Sequence, residues 1–225
     1  MEGLQSPRCG LVAQGGTEMR KAFVVLGILA AVFVTVGGCV ASKVYNTYNE
    51  LVVMREQVDA KWSQVENVYQ RRADLVPNLV NSVRGYAKHE SGTFIAVTEA
   101  RAKVGQMNLK ANDLTPQNLA MFQKAQGELS GALSRLMVVV ERYPDLKASS
   151  LFQDLMVQLE GTENRIAVER KSYNDTALAY NSAMKVFPEN LIAGFFRFES
   201  KPYFQAEEGA KKVPVVDFEG KGDKR

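Results

Sequence analysis

Proton transfer, nucleophilic attack and metal binding draw on histidine, cysteine and paired carboxylates, and this chain is poor in all three. It has 225 residues, a single histidine and two cysteines. His89 lies in the charged run Lys88-His89-Glu90 and reads as a solvated surface residue rather than a base. A protein-only zinc, haem or iron–sulfur site needs about three or four His and Cys ligands, so no such cofactor is assigned; carboxylate-only sites stay open. Glycine-rich phosphate loops, HExxH and G-x-S-x-G patterns do not occur. The pair Glu207-Glu208 falls in a polar C-terminal stretch and reads as solvated charge. Twenty-eight Lys and Arg against 25 Asp and Glu leave a net charge of +3, too little for a protein that neutralises a phosphate backbone, so nucleic acid is not expected as a partner. The expectation is a protein that is not an enzyme.

More informative are polar residues that interrupt otherwise apolar patterns. Gln70-Arg71-Arg72-Ala73-Asp74 precedes Pro77, and Asn78 and Asn81 follow it. Glu163-Asn164-Arg165 and Arg170 lie upstream of Tyr173-Asn174, a pair that recurs seven residues later as Tyr180-Asn181 and so presents the same helix face twice. Pairing inside a bundle, to satisfy backbone freed at a kink and to set helix register, is the favoured reading. The alternative is a polar groove for a peptide or a partner helix, formed by Arg71, Arg72, Asp74, Asn78, Glu163, Asn164, Arg170, Asn174 and Asn181.

The elements that must position these groups are helices. Proline is absent from 44 to 76, and Tyr48, Leu51, Val58, Trp62, Val65 and Tyr69 form one stripe that only Arg55 interrupts. A second helical segment covers 71 to about 107, with a kink or a fresh start near Ala73 because Pro77 removes a donor and disfavours helix at Val76. Gly85 and Ser91-Gly92 weaken its middle, and 108–115 reads as a loop. Thr115-Pro116 is an N-cap followed by proline in the first turn. Leu119, Phe122, Gln126, Leu129, Leu133, Leu136 and Val140 then alternate spacings of three and four, the pattern of a packed seam. Tyr143-Pro144-Asp145 separates this helix from a last long one over 145–184. Its stripe is Phe152, Leu155, Leu159, Thr162, Ile166, Glu169, Tyr173, Ala177, Tyr180 and Met184, and Phe187-Pro188 stops it. Residues 190–198 (NLIAGFFRF) either cap the bundle core with Phe195, Phe196 and Phe198 or lie in a membrane interface; the cap is favoured. The fold expected is all-α, an elongated antiparallel bundle of three to four long helices over 44–204, reversing near 70–74, 107–116 and 143–145, with a disordered tail over 205–225.

Ahead of the bundle, residues 22–41 (AFVVLGILAAVFVTVGGCVA) carry no charge; as a helix they span about 30 Å, the thickness of bilayer hydrocarbon. Arg20 and Lys21 precede the run and hold the N-terminus in the cytoplasm, sending the bulk of the chain to the other side. Residues 19–41 therefore read as a transmembrane anchor or a lipoprotein-like signal. In the second case Val36-Gly37-Gly38-Cys39 is the processing site and Cys39 the lipidated residue. The length of the run favours the uncleaved anchor. Residues 1–18 show no periodicity and read as a disordered segment or a start upstream of the true one at Met19. Cys9 and Cys39, on opposite sides of an anchor, cannot staple a fold.

The blocks EN-VYQRRADLVPNLV over 66–80 and GYAKHE over 85–90 resemble the core signature of the bacterial LemA family. ERYPDLKA over 141–148, Glu163-Asn164-Arg165-Ile166, Arg170-Lys171-Ser172-Tyr173-Asn174, Tyr180-Asn181 and Phe187-Pro188 are similar to its later motifs in the same order. The resemblance covers about 44–204 and implies a membrane segment followed by a long helical domain, located at the bacterial membrane or envelope, in a family with no established catalytic activity or cofactor. Gly37-Gly38-Cys39 departs from the plain membrane helix usual in the family. The expected function is a membrane-tethered scaffold or adaptor, whose partners are the membrane through 22–41 and other proteins, self-association included. A lipid- or peptide-binding envelope module is the alternative, and an enzyme with an unidentified site the second alternative.

Overall fold

The computed structural model describes residues 15–87, 89–107 and 109–205; the expectations for the extreme N-terminus with Cys9, and for the tail from 206 onward with Glu207-Glu208, lie outside them. Among the described residues the chain is all-helical, with no strand. Six α-helices follow in order: α1 (Gly15–Arg84), α2 (Ser91–Gln106), α3 (Pro116–Val140), α4 (Pro144–Lys147), α5 (Ser150–Ala183) and α6 (Glu189–Phe195). The chain divides into two compact units, Met1–Glu50 and Leu51–Arg225.

In the first unit the described backbone is the N-terminal part of α1. Residues 23–43 are exposed throughout, Phe33 at 80% and Phe23 at 73%. A helix this apolar with nothing packed on it has the length and composition to cross a membrane. It starts at Gly15, so residues 15–18, which show no periodicity, are helical all the same. Helix continues through Gly37-Gly38-Cys39 without a break, since inside a long hydrogen-bonded run two glycines lower propensity by about 1 kcal/mol each but do not end it.

In the second unit the stripe Leu51, Val58, Trp62, Val65 and Tyr69 is buried as its spacing predicts, while Tyr48, assigned to the same stripe, stays 38% exposed. The expected reversal near 70–74 does not occur. α1 runs straight on through Pro77 to Arg84, and the chain turns at 85–90 instead. The reason is local: Pro77 cannot donate to the carbonyl of Ala73, and the Arg101 Nε of α2 donates to that carbonyl instead, at 2.9 Å. With the orphan acceptor satisfied, the helix has no need to stop.

α3 begins as the sequence indicates, with Pro116 in the first turn and the Thr115 hydroxyl accepting from the Asn118 amide at 3.2 Å. All seven of its seam residues are buried. The last long helix is interrupted: α4 is one turn, Ala148-Ser149 break it, and α5 begins at Ser150 with Ser149 extended (ψ 124°). Within α5 the stripe is buried except Glu169 and Met184, which are half-buried.

The buried apolar residues form two separate clusters. One is aliphatic and joins α1 (Val76, Leu79, Val83), α2 (Phe94, Val97), α3 (Leu129, Leu136), Leu146 of α4 and α5 (Phe152, Leu155). The other is built around aromatic rings, from α1 (Trp62, Tyr69), α3 (Phe122), α5 (Tyr173, Tyr180) and Phe204, with aliphatic residues such as Val58, Val65 and Ile166 between them. Each fully buried side chain of this size stabilises the domain by about 1.5–3 kcal/mol relative to leaving it in water.

Candidate functional site

Between the two clusters lies a polar layer. Arg72 of α1, Gln126 of α3 and Thr162 of α5 are 2%, 4% and 2% exposed, and each stands within four residues, about one helical turn, of members of both clusters. The Arg72 Nη1 donates to Glu163 Oε1 and to Ser130 Oγ, both at 2.9 Å. Its Nη2 donates to the Gln126 carbonyl at 3.2 Å and to the Gln126 side-chain oxygen. The guanidinium also lies 5.1 Å from the centre of the Tyr69 ring. Nε of Arg72 is the one buried side-chain nitrogen or oxygen among the described residues without a hydrogen-bond partner. Arg72 borders a small cavity of about 70 Å³ lined also by Tyr69, Gln126, Ser130, Glu163 and Arg170.

Burying a guanidinium costs several kcal/mol unless the charge and the donors are met, and here one carboxylate and three neutral oxygens meet them. Glu163 is 42% exposed, so water shares in stabilising it. Arginine stays charged at any physiological pH and cannot act as a proton donor or acceptor. The layer can hold helices in one register, and its arginine pairs with a carboxylate.

The second group of polar residues faces the chain's own C-terminal segment, residues 199–205, which follows α6 without regular structure and straps across α5. Asn174 donates to the Phe204 carbonyl at 3.1 Å and accepts from the Phe204 amide at 2.9 Å. Asn181 makes the same pair of bonds to Lys201, at 2.8 and 2.9 Å, and also donates to the Tyr203 hydroxyl. The tyrosines repeat the device: Tyr173 donates to the Pro202 carbonyl at 2.9 Å and Tyr180 to that of Glu199 at 3.2 Å. Both repeats thus move seven residues along the helix and three back along the strap. Seven helical residues rise about 10.5 Å and three extended residues about 10 Å, so the two spacings match.

Further contacts fasten the strap. Lys201 Nζ pairs with Asp59 Oδ1 at 2.6 Å, both side chains largely buried. Phe204 stacks on Trp62, with ring centres 5.9 Å apart, and the Arg170 guanidinium lies 4.9 Å from the Phe204 ring. Arg170 and Gln123 both donate to the Gln205 carbonyl at 3.1 Å. Trp62 donates to the Leu109 carbonyl at 2.8 Å, tying the α2–α3 connection into the same cluster. Burial pushes the phenol of Tyr173 up strongly, with Asp59 and Tyr203 adding to it. Burial also raises Tyr69, against the opposing pull of Arg170 and Arg72, and raises Tyr180.

Of the residues singled out by sequence, Arg72 and Glu163 meet in the polar layer, and Arg170, Asn174 and Asn181 meet on the strap. Arg71, Asn78 and Asn164 are exposed and belong to neither group, and Asp74 is exposed and accepts from Gln70 at 2.8 Å. A single polar groove containing all nine is therefore not what forms. Cys39 is an exposed free thiol on α1. Sequence reasoning missed Gln126 as a partner, although a glutamine at a seam position was the available signal. It also missed Lys201, Asp59 and Arg101, whose partners lie 142 or 28 residues away and leave no local signal.

The profile of the LemA family matches residues 61–218. Magnetosome protein MamQ 2 of Paramagnetospirillum magneticum is 31% identical over 190 residues, covering 75% of this chain and 68% of that protein. Magnetosome protein MamQ of Magnetospirillum gryphiswaldense is 28% identical over 229 aligned positions, covering 94% and 80%. Protein LemA of Metamycoplasma hominis is 26% identical over 160 residues, covering 71% and 69%.

Proposed function

Because this chain belongs to the LemA family, we propose that it is a non-enzymatic, membrane-tethered protein whose antiparallel helical bundle serves as a scaffold or adaptor for other membrane or envelope proteins. The observation that carries this reading is the use of the interior polar groups. Arg72, Glu163, Asn174 and Asn181 spend their hydrogen bonds on holding α1, α3, α5 and the strap in one register, the work of a rigid platform. Membrane association follows from the exposed apolar helix of the first unit and agrees with the LemA and MamQ relatives. In this reading Arg20 and Lys21 keep the N-terminus in the cytoplasm and the domain stands on the opposite face. The uncleaved helix is the anchor; a diacylated N-terminal Cys39 in the mass of the mature protein would replace it with a lipid.

Photo-crosslinking from exposed positions of the full chain in its own membranes tests the scaffold. The expected result is the same partner captured repeatedly from neighbouring positions on one face of the domain. A monomer that captures nothing at any position overturns it.

A further inference from the structure

Helix α6 and its flanks are apolar on the side that should be polar. Ile192 and Ala193 point inward, at 8% and 4% exposure. On the outer side Leu191 and Phe195, four residues apart and hence on one face, are 63% and 81% exposed. Val186 and Phe187 extend the patch at 58% and 74%. A surface helix ordinarily turns polar residues outward; α6 exposes Asn190 as well, but large apolar side chains exposed together on one face mark a contact site. Phe195 accordingly does not cap the core; of the aromatic residues expected to do so, Phe198 packs against the aromatic cluster.

Three features indicate what covers the patch. Cations stand at both of its ends: Lys185 and Arg197 are exposed, with the half-buried Glu189 between them, and Arg197 lines a cleft of about 180 Å³ together with Arg55 and Lys201, three cations against the one acidic residue Glu199 in that lining. Arg197 takes this place in the left-handed region, at φ 57°, where it closes the end of α6; an arginine there is strained where a glycine would not be. The patch is also fastened beside the start of the second unit, since Phe198 sits 5.8 Å under the Arg55 guanidinium and Lys201 pairs with Asp59. Only thirteen residues separate Ala41, the end of the apolar run, from Arg55, so the two lie at most about 50 Å apart whatever conformation the chain between them takes. A connection this short, helical throughout as part of α1, keeps the patch close to any bilayer the run enters.

We propose that residues 186–197 form a second membrane contact, in which Phe187, Leu191 and Phe195 enter the interfacial region of a lipid surface while Lys185, Arg197 and Arg55 meet its phosphates. The inference draws on the membrane anchor but not on the scaffold role. Tryptophan substituted for Phe195, for Phe33 in the apolar run or for the exposed Leu151 at the start of α5 reports the surroundings of each site in the full chain, against the baseline of Trp62. The protein is reconstituted in vesicles of phosphatidylcholine, with or without phosphatidylglycerol, and headgroup-proximal doxyl lipid is added as quencher. The expected result is about a twofold loss of Phe195→Trp emission with none at Leu151→Trp, larger with phosphatidylglycerol. Unquenched, water-like emission at 195 overturns the proposal. So does blue-shifted but unquenched emission, which assigns the patch to a second copy of the chain. Phe33→Trp, read in parallel with a doxyl group placed deep on the acyl chain because residue 33 is central in the run, reports the anchor separately: quenching there without quenching at 195 removes the second contact and keeps the span. Quenching at 195 alone keeps the contact and removes the span, and quenching at neither removes both.

Discussion

The two halves of the helical domain are held by different means. The half that contains α2 packs aliphatic side chains from helices, such as Val83, Val97, Leu129, Leu136 and Leu155, and derives its strength from shape and apolar area. The half that contains the strap packs rings, Trp62 against Phe122, Tyr173 and Phe204, and Trp62, Tyr173 and Tyr180, with Asn174 and Asn181 beside them, also hold polar groups of irregular backbone. A helix satisfies its own backbone, so helices meet through side chains alone. A strap has no internal hydrogen bonds and needs side chains to supply them. The contrast predicts that damage in the first half lowers global stability, whereas damage in the second also releases a segment.

The largest effect that separates the halves is expected from Trp62→Ala. It should cost about 4 kcal/mol in denaturant unfolding, and the strap should become open to proteolysis at 199–205 under native conditions. Leu136→Ala should cost about 3 kcal/mol without exposing the strap; equal protease sensitivity in the two variants would erase the distinction. At the boundary, Glu163→Ala should cost about 2 kcal/mol, because it leaves the Arg72 charge buried with only neutral partners. Replacing Arg72, Gln126 and Glu163 together by leucines should restore much of that loss while weakening the preference for one register, seen as broadened NMR signals from α5.

Asn181→Ala removes three hydrogen bonds and should cost about 1.5 kcal/mol. Amide exchange should accelerate at Lys201 while amides of the aliphatic half keep their protection. The smallest effect is with pH. Tyr69, Tyr173 and Tyr180 are harder to ionise in the folded state than in the unfolded one, so their contribution is fully present below about pH 10 and is lost as pH rises beyond it. Denaturant midpoints between pH 8 and 11 should fall, and Tyr173→Phe should flatten that fall.

The aliphatic half was legible at the level of residues. Leu129, Leu133, Leu136 and Val140 recur at spacings a helix must bury on one face and all are buried there, and the same seam continues through Gln126 into the other half as Phe122 and Leu119. Pro77 was misjudged because the rule for proline counts a lost hydrogen bond, and the arginine that replaces the donor comes from 28 residues away. The break at Ala148-Ser149 was missed for the opposite reason, since Pro144 and the stripe beyond it fit one helix equally well. In the candidate site, the recurrence of Tyr-Asn after seven residues marked a repeated face correctly. Its partner was misread as another helix because an extended strap of three-residue period leaves no hydrophobic pattern of its own.

The sequence by itself determined that the chain is helical, that 22–41 can enter a membrane, and that the chain belongs with the LemA proteins. These properties depend on local periodicity, run length and ordered motifs, all of which are carried along the chain. Only the tertiary structure decided that α1 passes through Pro77, that Arg72 closes a polar layer between two cores, and that the strap fills the groove of Asn174 and Asn181. Each of these rests on pairing a buried polar group with a partner many residues distant. The free energy of such a pair depends on geometry that exists only once the helices have met.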